Sequence, residues 1–296
     1  MAYNATGLTD YVEQNNLPLL SEAIVGGDFM EEFNIQTGIK STSSLNYLDV
    51  DVTLQDGASC GFNALGTDTF TQRDISVKPL KVNKTWCPKD LTAKWMGYMV
   101  KTAANGQELP FEQFLLGEIN KKVQSQIGFN LWQGDTVTPG ATYSDFDGIL
   151  TITGTTTLTG VTTGMSVYDA TLYVYNNIPA NVIDNAVIYM GKDSYRTFIQ
   201  DILAKNLFQV DAQEGDFTYV LPATNTRVKG INYLNGTKKI VATDPKNIYF
   251  GTDMEGDYEA YDLFWSQDDR LYKLVIEFKA GVQIAFPDEF IKATHN

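Results

Sequence analysis

Histidine is all but missing: the single one in 296 residues is His295, close to the end of the sequence and expected to be flexible there. A His-based triad, a zinc site or a histidine general base in the body of the chain is therefore excluded, because each needs an imidazole held among other fixed groups. Cysteine is equally scarce. Cys60 and Cys87 are too few for a disulfide framework and have no metal-ligand spacing, so buried free thiols are expected. Cations are outnumbered, with 22 Lys and Arg against 36 Asp and Glu and a formal net charge of -14. A free-standing nucleic-acid binder, whose affinity rests on neutralising phosphates, is excluded on that ground. No apolar run approaches the ~18 residues of a membrane span, and Met1–Thr9 lacks the basic and apolar regions of a secretory signal, so a soluble cytoplasmic product without membrane contact is expected. Neither Gly-x-x-x-x-Gly-Lys-Ser/Thr nor Gly-x-Gly-x-x-Gly occurs, and Ser166 lacks the second glycine of a nucleophile elbow. Catalytic residues, cofactor-binding residues and metal ligands are each expected to be none.

What remains is an ordinary globular composition, 43% apolar and 20% charged. The length fits one large domain or two lobes sharing a core, since single cores stop growing near ~250–300 residues. Residues 1–45 read as an arm, with short helical candidates at Leu8–Asn15 and Leu17–Val25 and too few apolar residues to close a core. Such an arm must lie on its own body or on a neighbouring subunit. From Tyr47 to Leu54 apolar Leu48, Val50, Val52 and Leu54 alternate with polar residues, the mark of a half-buried strand. A glycine-rich loop leads to a second strand, Phe70–Val82, in which Arg73, Ile75 and Val77 share a face. The two predict a long hairpin, which is marginal alone in water and needs a partner surface, in the same chain or another.

Helices are predicted at Pro88–Lys101 and Pro110–Gln133, the second carrying Phe111, Leu115, Ile119, Val123, Ile127 and Leu131 at four-residue spacing and stopping at Gly134. Gly134–Gly164, rich in Thr and Gly, is expected to be a surface excursion with a strand at Ile149–Thr153. Val167–Asn177 and Asp193–Leu207 have helical periodicity, and Val187–Met190 reads as a short buried strand. The clearest pattern comes last: Tyr272, Leu274, Ile276, Phe278, Ala280, Val282, Ile284 and Phe286 occupy every second position. Either one strand serves two sheets or a kink at Gly281 divides it, so this element is expected to tie two lobes together.

Asp253, Glu255, Asp257 and Glu259 alternate, but Gly256 sits at the fourth position and not the sixth that a calcium loop needs, which leaves a solvated acidic turn. Paired carboxylates with Trp86, Trp95, Trp132 and Trp265 allow a carbohydrate-binding or carbohydrate-processing protein, provided that they converge in one cleft. A second type of residue pattern points elsewhere. Ile248-Tyr249-Phe250-Gly251-Thr252-Asp253, then Trp265-Ser266-Gln267-Asp268-Asp269-Arg270, then Phe278-Lys279-Ala280-Gly281-Val282-Gln283-Ile284-Ala285-Phe286-Pro287-Asp288 resemble the C-terminal part of tailed-phage major capsid proteins with the Hong Kong 97-like fold. Trp132-Gln133-Gly134-Asp135 and Tyr189-Met190-Gly191 are similar in order, and the likeness spans most of residues 46–296.

The resemblance implies an α+β capsid fold with an N-terminal arm at 1–45, an extended hairpin loop at 46–85, a peripheral domain at 86–165 and 255–296 with a long spine helix, and an axial domain at 166–254. It implies self-assembly as hexamers and pentamers into an icosahedral head that encloses double-stranded DNA without sequence-specific binding, in a virion assembled in the host cytoplasm. Portal and decoration or auxiliary proteins are the implied partners. A separate scaffolding protein is expected because only about 45 residues precede the hairpin. Non-covalent shell stabilisation is expected because no lysine lies between Lys40 and Lys78. Phe62, Phe70 and Arg73 are the candidate subunit-interface residues, since aromatic and Arg side chains anchor interfaces. Another virion component, a tail-tube or decoration protein, stays open as the alternative.

Overall fold

The computed structural model describes residues 12, 15, 19–24, 30, 32–49, 51–55, 65–66, 68–90, 111–138, 140–152, 154–161, 164–205, 217–253 and 260–295. Its central element is β12 (Leu271–Ile284), an unbroken strand of 14 residues. The even-numbered positions from Leu274 to Ile284 are all buried, as the period of two requires. On one edge β12 pairs with β4 (Lys78–Trp86). On the other it pairs first with β11 (Ala260–Ser266) and then with β10 (Ile248–Thr252), beside which β1 (Asn34–Gln36) lies parallel. All of β12 therefore sits in one five-stranded sheet without a dividing kink, against the expectation that it serves two.

The link between lobes is made by the chain just beyond it. After a 3-10 turn at Pro287–Glu289, β13 (Ile291–Thr294) enters a second sheet of six strands. That sheet runs in the order β5 (Thr156–Leu158), β13, β9 (Lys239–Thr243), β6 (Val187–Gly191), β8 (Arg227–Ile231) and β7 (Thr218–Val220). Its central strand β6 is buried at every position because both faces are covered. Ile188 and Met190 face a cluster with α2 (Val167–Asn176) and α3 (Lys192–Ala204), while Val187 and Tyr189 join the main core. Ser166 caps α2, its hydroxyl accepting from the Asp169 amide. The two sheets exchange strands across residues 166 and 254: β5 and β13 belong to the six-stranded sheet and β10 to the five-stranded one.

The main core lies under α3's longer counterpart, the 23-residue helix Phe111–Gln133, here α1 by chain order. Leu116, Val123, Ile127 and Leu131 pack with Leu274, Ile276 and Phe278, whereas Leu115 and Ile119 of the expected stripe are only partly covered. The segment after α1 is a surface excursion only in part: residues 136–138 are exposed, but the stretch at 146–152 is packed. It folds back so that the amides of Ile149 and Leu150 donate to the carbonyls of Leu131 and Trp132 at 2.7 and 3.1 Å, satisfying the helix end. Phe146, Ile149 and Ile152 are thereby buried, and the strand forms at 156–158 instead of 149–153.

The arm lies on its own body. Val12, Leu19, Leu20, Ala23, Ile24, Met30 and Phe33 all belong to the main core. Residues 19–24 are helical beneath α1, where Asn120 Nδ2 donates to the Leu19 carbonyl at 3.3 Å and Gln124 Nε2 to that of Glu22 at 2.7 Å. Glu32 closes the arm onto the six-stranded sheet by accepting from Tyr189 Oη at 2.9 Å and Lys229 Nζ at 3.0 Å. Of the helical candidate at 8–15 only Val12 and Asn15 are described, both helical. Of the helix expected at 88–101, residues 88–90 are helical and the remainder lies outside the described residues.

Candidate assembly surfaces

The predicted hairpin exists but differs in its second half. β2 (Thr42–Asp49) pairs with β3 (Thr69–Ser76) as an isolated two-stranded ribbon. The strand expected at 70–82 breaks at Val77, after which β4 leaves the ribbon for the five-stranded sheet. The apolar pattern carries this corner: Ile75 and Val77 are buried on odd positions, Leu80 and Val82 half-buried on even ones, and a shift by one residue turns a strand over.

The root of the ribbon is fixed. Ile39, Leu45, Ile75 and Val77 form a small buried cluster with Tyr47 and Tyr249 against it. They sit over Gly251 and Gly281, which are register partners in β10 and β12. A Cβ on Gly281 would stand 2.1 Å from the Ser76 carbonyl oxygen, and one on Gly251 would stand 2.9 Å from the Ile39 and Ile75 side-chain ends. Gly281 is the glycine that leaves room for the chain to cross the sheet here, since its Cβ would meet backbone, whereas at Gly251 only side-chain ends would have to shift. Arg73 Nη2 donates to Gln283 Oε1 at 3.3 Å, and Gln283 Nε2 donates to the Asp74 carbonyl at 2.8 Å. The Tyr47 ring stands 4.5 Å from that of Phe286, and burial pushes its phenol up to about 12, with Tyr249 adding to the shift and Arg73 opposing it.

Beyond the root the ribbon is bare. Leu48 and Phe70 face each other in register and are 54% and 80% exposed, and Val52 and Leu54 further out are 75% and 95% exposed. Exposed apolar side chains are thus gathered at one end of a thin ribbon. A second such place lies between β4 and α1, a cleft of about 640 Å³ floored by Leu80, Val82, Trp86, Leu115, Ile119 and Phe278.

No family model matches this chain, and no curated protein matches it by sequence. Solved structures do. The satellite phage P4 procapsid with its size determination (Sid) protein gives a TM-score of 0.64 at 11% identity, covering 95% of this chain and 90% of that one. The capsid of an empty GTA particle gives 0.56 at 13% identity over 91% and 89%, and the capsid of Myoviridae phage XM1 gives 0.54 at 17% identity over 95% and 92%. The fold is that of the phage capsid proteins. It is the α+β, Hong Kong 97-like architecture that the sequence resemblance implied.

Within this capsid fold the expected interface residues fall in different settings. Phe70 is open on the ribbon, Arg73 is half-buried at its root and bonded to Gln283, and Phe62 lies outside the described residues. Among the described residues, those that signal chemistry do not assemble a site. Trp132 is sealed in the core, Trp86 floors the cleft, Trp265 is part-exposed beside Tyr272, and Trp95 lies outside the described residues. Asp253 is not part of a solvated turn: it is 1% exposed and accepts from Lys279 Nζ at 2.7 Å, while residues 255, 257 and 259 lie outside the described residues.

Among the described residues no group of three or more His, Cys, Asp or Glu can hold a metal ion. Among them, too, no helix is long and apolar enough to cross a membrane. Cys87 is a free thiol, half-buried rather than buried, and Cys60 lies outside the described residues.

His295 is the main surprise, because it is buried. Its Nε2 lies 2.7 Å from Ser194 Oγ, itself buried, and its amide donates to the Lys238 carbonyl. Next to the pair, burial acts to raise the Asp193 carboxyl, but amide donors from Gly236 and Ser194 and the nearby His295 outweigh it and hold the group below its usual range. Enclosed in this way, serine and histidine fasten β13 to the start of α3 and offer no face to a substrate. No local pattern announces a contact between residues 101 apart in sequence.

Proposed function

We propose that this chain is the major capsid protein of a tailed double-stranded-DNA phage, a shell subunit that performs no catalysis. The observation that carries the reading is the exposed apolar ribbon of 42–76 on a capsid fold that covers nearly the whole chain. A two-stranded ribbon with Leu48, Phe70, Val52 and Leu54 bare gains stability only when another surface covers it, and a neighbouring subunit supplies one. Many copies then close as hexamers and pentamers into an icosahedral head, with hydrophobic burial multiplied over repeated contacts as the driving force. Phe70 and Phe62 anchor the ribbon against the neighbour, while Arg73 sets its direction.

In this reading residues 1–45 are the arm, 46–85 the extended loop, 86–165 with 255–296 the peripheral part and 166–254 the axial part, with β5, β10 and β13 stitching the last two together. A separate scaffolding protein, a portal and decoration or auxiliary proteins complete the head, which is built in the host cytoplasm and persists as the virion shell. The net charge of -14 suits a lining that encloses DNA without gripping it. Mass photometry of the purified protein tests the proposal. Species at five and six times 32.9 kDa, or much larger closed particles, are expected. Rings or trimers alone would favour a tail-tube or decoration protein, and a persistent monomer would overturn the shell reading.

A further inference from the structure

We infer that Asn235 is a latent modification site, a side chain able to cyclise with the amide of Gly236 and lose ammonia, and that Asp193 holds this reaction in check. An asparagine followed by glycine is the step most open to this chemistry, because no side chain on the second residue hinders its nitrogen. Two such steps occur in the sequence, at Asn105 and Asn235, and the first lies outside the described residues. Asn235 and Gly236 are exposed, in the turn between the 3-10 segment Asn232–Leu234 and β9. Asn235 has φ -58° and ψ 136° and Gly236 has φ 74°, a type II turn closed by the Thr237 amide on the Leu234 carbonyl at 3.2 Å. Asp193, in the first turn of α3, reaches across to it. Its Oδ2 accepts from the Gly236 amide at 2.7 Å, and its own amide donates to Asn235 Oδ1 at 3.4 Å. Gly191 leaves the space for this clamp, since a Cβ there would stand 2.2 Å from Asp193 Oδ1 and 2.7 Å from the Leu234 carbonyl oxygen.

In the reaction the Gly236 nitrogen gives up its proton to a base in solvent and donates its electron pair to Asn235 Cγ. The Cγ–Nδ2 bond breaks, and ammonia leaves with a proton taken from solvent. Water then opens the five-membered imide at either carbonyl, giving aspartate or isoaspartate at position 235. Closure needs the Gly236 nitrogen close to eclipsing Cβ about the Cα–C bond, and at a ψ of 136° the two are far from eclipsed. Turning ψ swings the peptide plane and breaks both the Gly236 bond to Asp193 and the Thr237 bond to Leu234. The Asp193 carboxyl lies below its usual range and is ionised near neutral pH, which makes its bond to Gly236 one of the stronger kind. Asp193 is thus a positioning residue for the turn. Conversion would set a second carboxylate beside it, a like-charge contact. Isoaspartate would also lengthen the backbone leading to Lys238, whose carbonyl holds the His295 amide at 2.9 Å, so the joint between β13 and α3 would loosen.

The test is peptide mapping by mass spectrometry of the full chain held at neutral pH, following aspartate and isoaspartate at position 235 in the folded parent, in the same chain unfolded in urea, and in variants. The folded parent is expected to convert more slowly than the unfolded chain by roughly 10–100-fold, the worth of a hydrogen bond to an ionised acceptor expressed as a rate. Asp193→Ala is expected to recover most of that difference. Asp193→Asn keeps the shape with a neutral acceptor and is expected to fall between the two, which supplies the reading if the alanine variant does not fold. Ser194→Ala removes the hydroxyl beside His295 but leaves Asp193 joined to Gly236, so it is expected to convert at the parent rate. Equal rates in the folded and unfolded parent, or Asp193 variants that convert no faster than the parent, overturn the inference. Acceleration by Ser194→Ala as large as that by Asp193→Ala overturns it too, because the protection then belongs to the fold at large. The subunit need not assemble for this measurement, so its outcome is independent of the shell reading.

Discussion

Replacing Leu20 by alanine separates an arm that completes its own subunit from one that merely reaches a neighbour. Leu20 is 1% exposed and packs in the main core with the rest of the arm and α1. Truncation loses the transfer free energy of its side chain and leaves a cavity, about 3 kcal/mol for a leucine in such a site. Against a total stability of roughly 5–15 kcal/mol, that is a large share. For a chain of this size it corresponds to a fall in Tm of roughly 5 °C. The assay is thermal or urea denaturation of the unassembled subunit, followed by tryptophan fluorescence, since Trp132 lies in the same core. Leu54→Ala is the control: at 95% exposure it should shift stability by less than about 0.5 kcal/mol. An unassembled Leu20→Ala subunit as stable as the parent, with assembly alone weakened, would refute the intramolecular arm.

Three further outcomes follow from the packing. Gly281→Ala sets a methyl 2.1 Å from the Ser76 carbonyl oxygen, where an ordinary contact is ~3.3 Å, so backbone must move and roughly 1–3 kcal/mol is lost. Hydrogen exchange should speed up in β3 and spare β13, whereas Gly251→Ala should be milder because it meets the ends of flexible side chains. Asp253→Ala removes the anionic partner of Lys279 in a buried pair and should cost about 3 kcal/mol by urea denaturation. Asp193 is held below its ordinary pKa in the folded state, so its contribution is complete above the unfolded value of ~3.9 and disappears as pH falls through the lower folded value. The parent should therefore lose more stability than Asp193→Asn between pH 5 and about pH 3, measured by urea midpoints, and equal losses would contradict that origin.

Repeating patterns were the legible part of this chain. The period of two in β12 and the four-residue spacing in α1 locate both elements, because each buries one face against a single partner over many residues. The second half of the hairpin departs from its sequence pattern because β-propensity continues through Val77 while the pairing partner changes from β2, beside β3, to β12, beside β4. The odd-to-even shift between Val77 and Leu80 was the available signal. The arm's role was hidden for a different reason. Its core residues are too sparse to form a core by themselves, and they become buried only under α1 and the two sheets. Segment 134–152 was obscured by its composition, since its packing depends on backbone amides that cap α1 and not on an apolar period. Of the interface candidates, Phe70 was readable as an exposed aromatic on a ribbon, but the apolar-floored cleft draws on β4 and α1, which no linear pattern connects.

The central claim is that this chain builds a closed shell, and negative-stain electron microscopy of the protein expressed alone and alongside the genes that neighbour its own tests it most directly. Closed polyhedral particles, or hexameric and pentameric capsomers, are the predicted result. A monodisperse monomer that persists in both preparations would contradict the account.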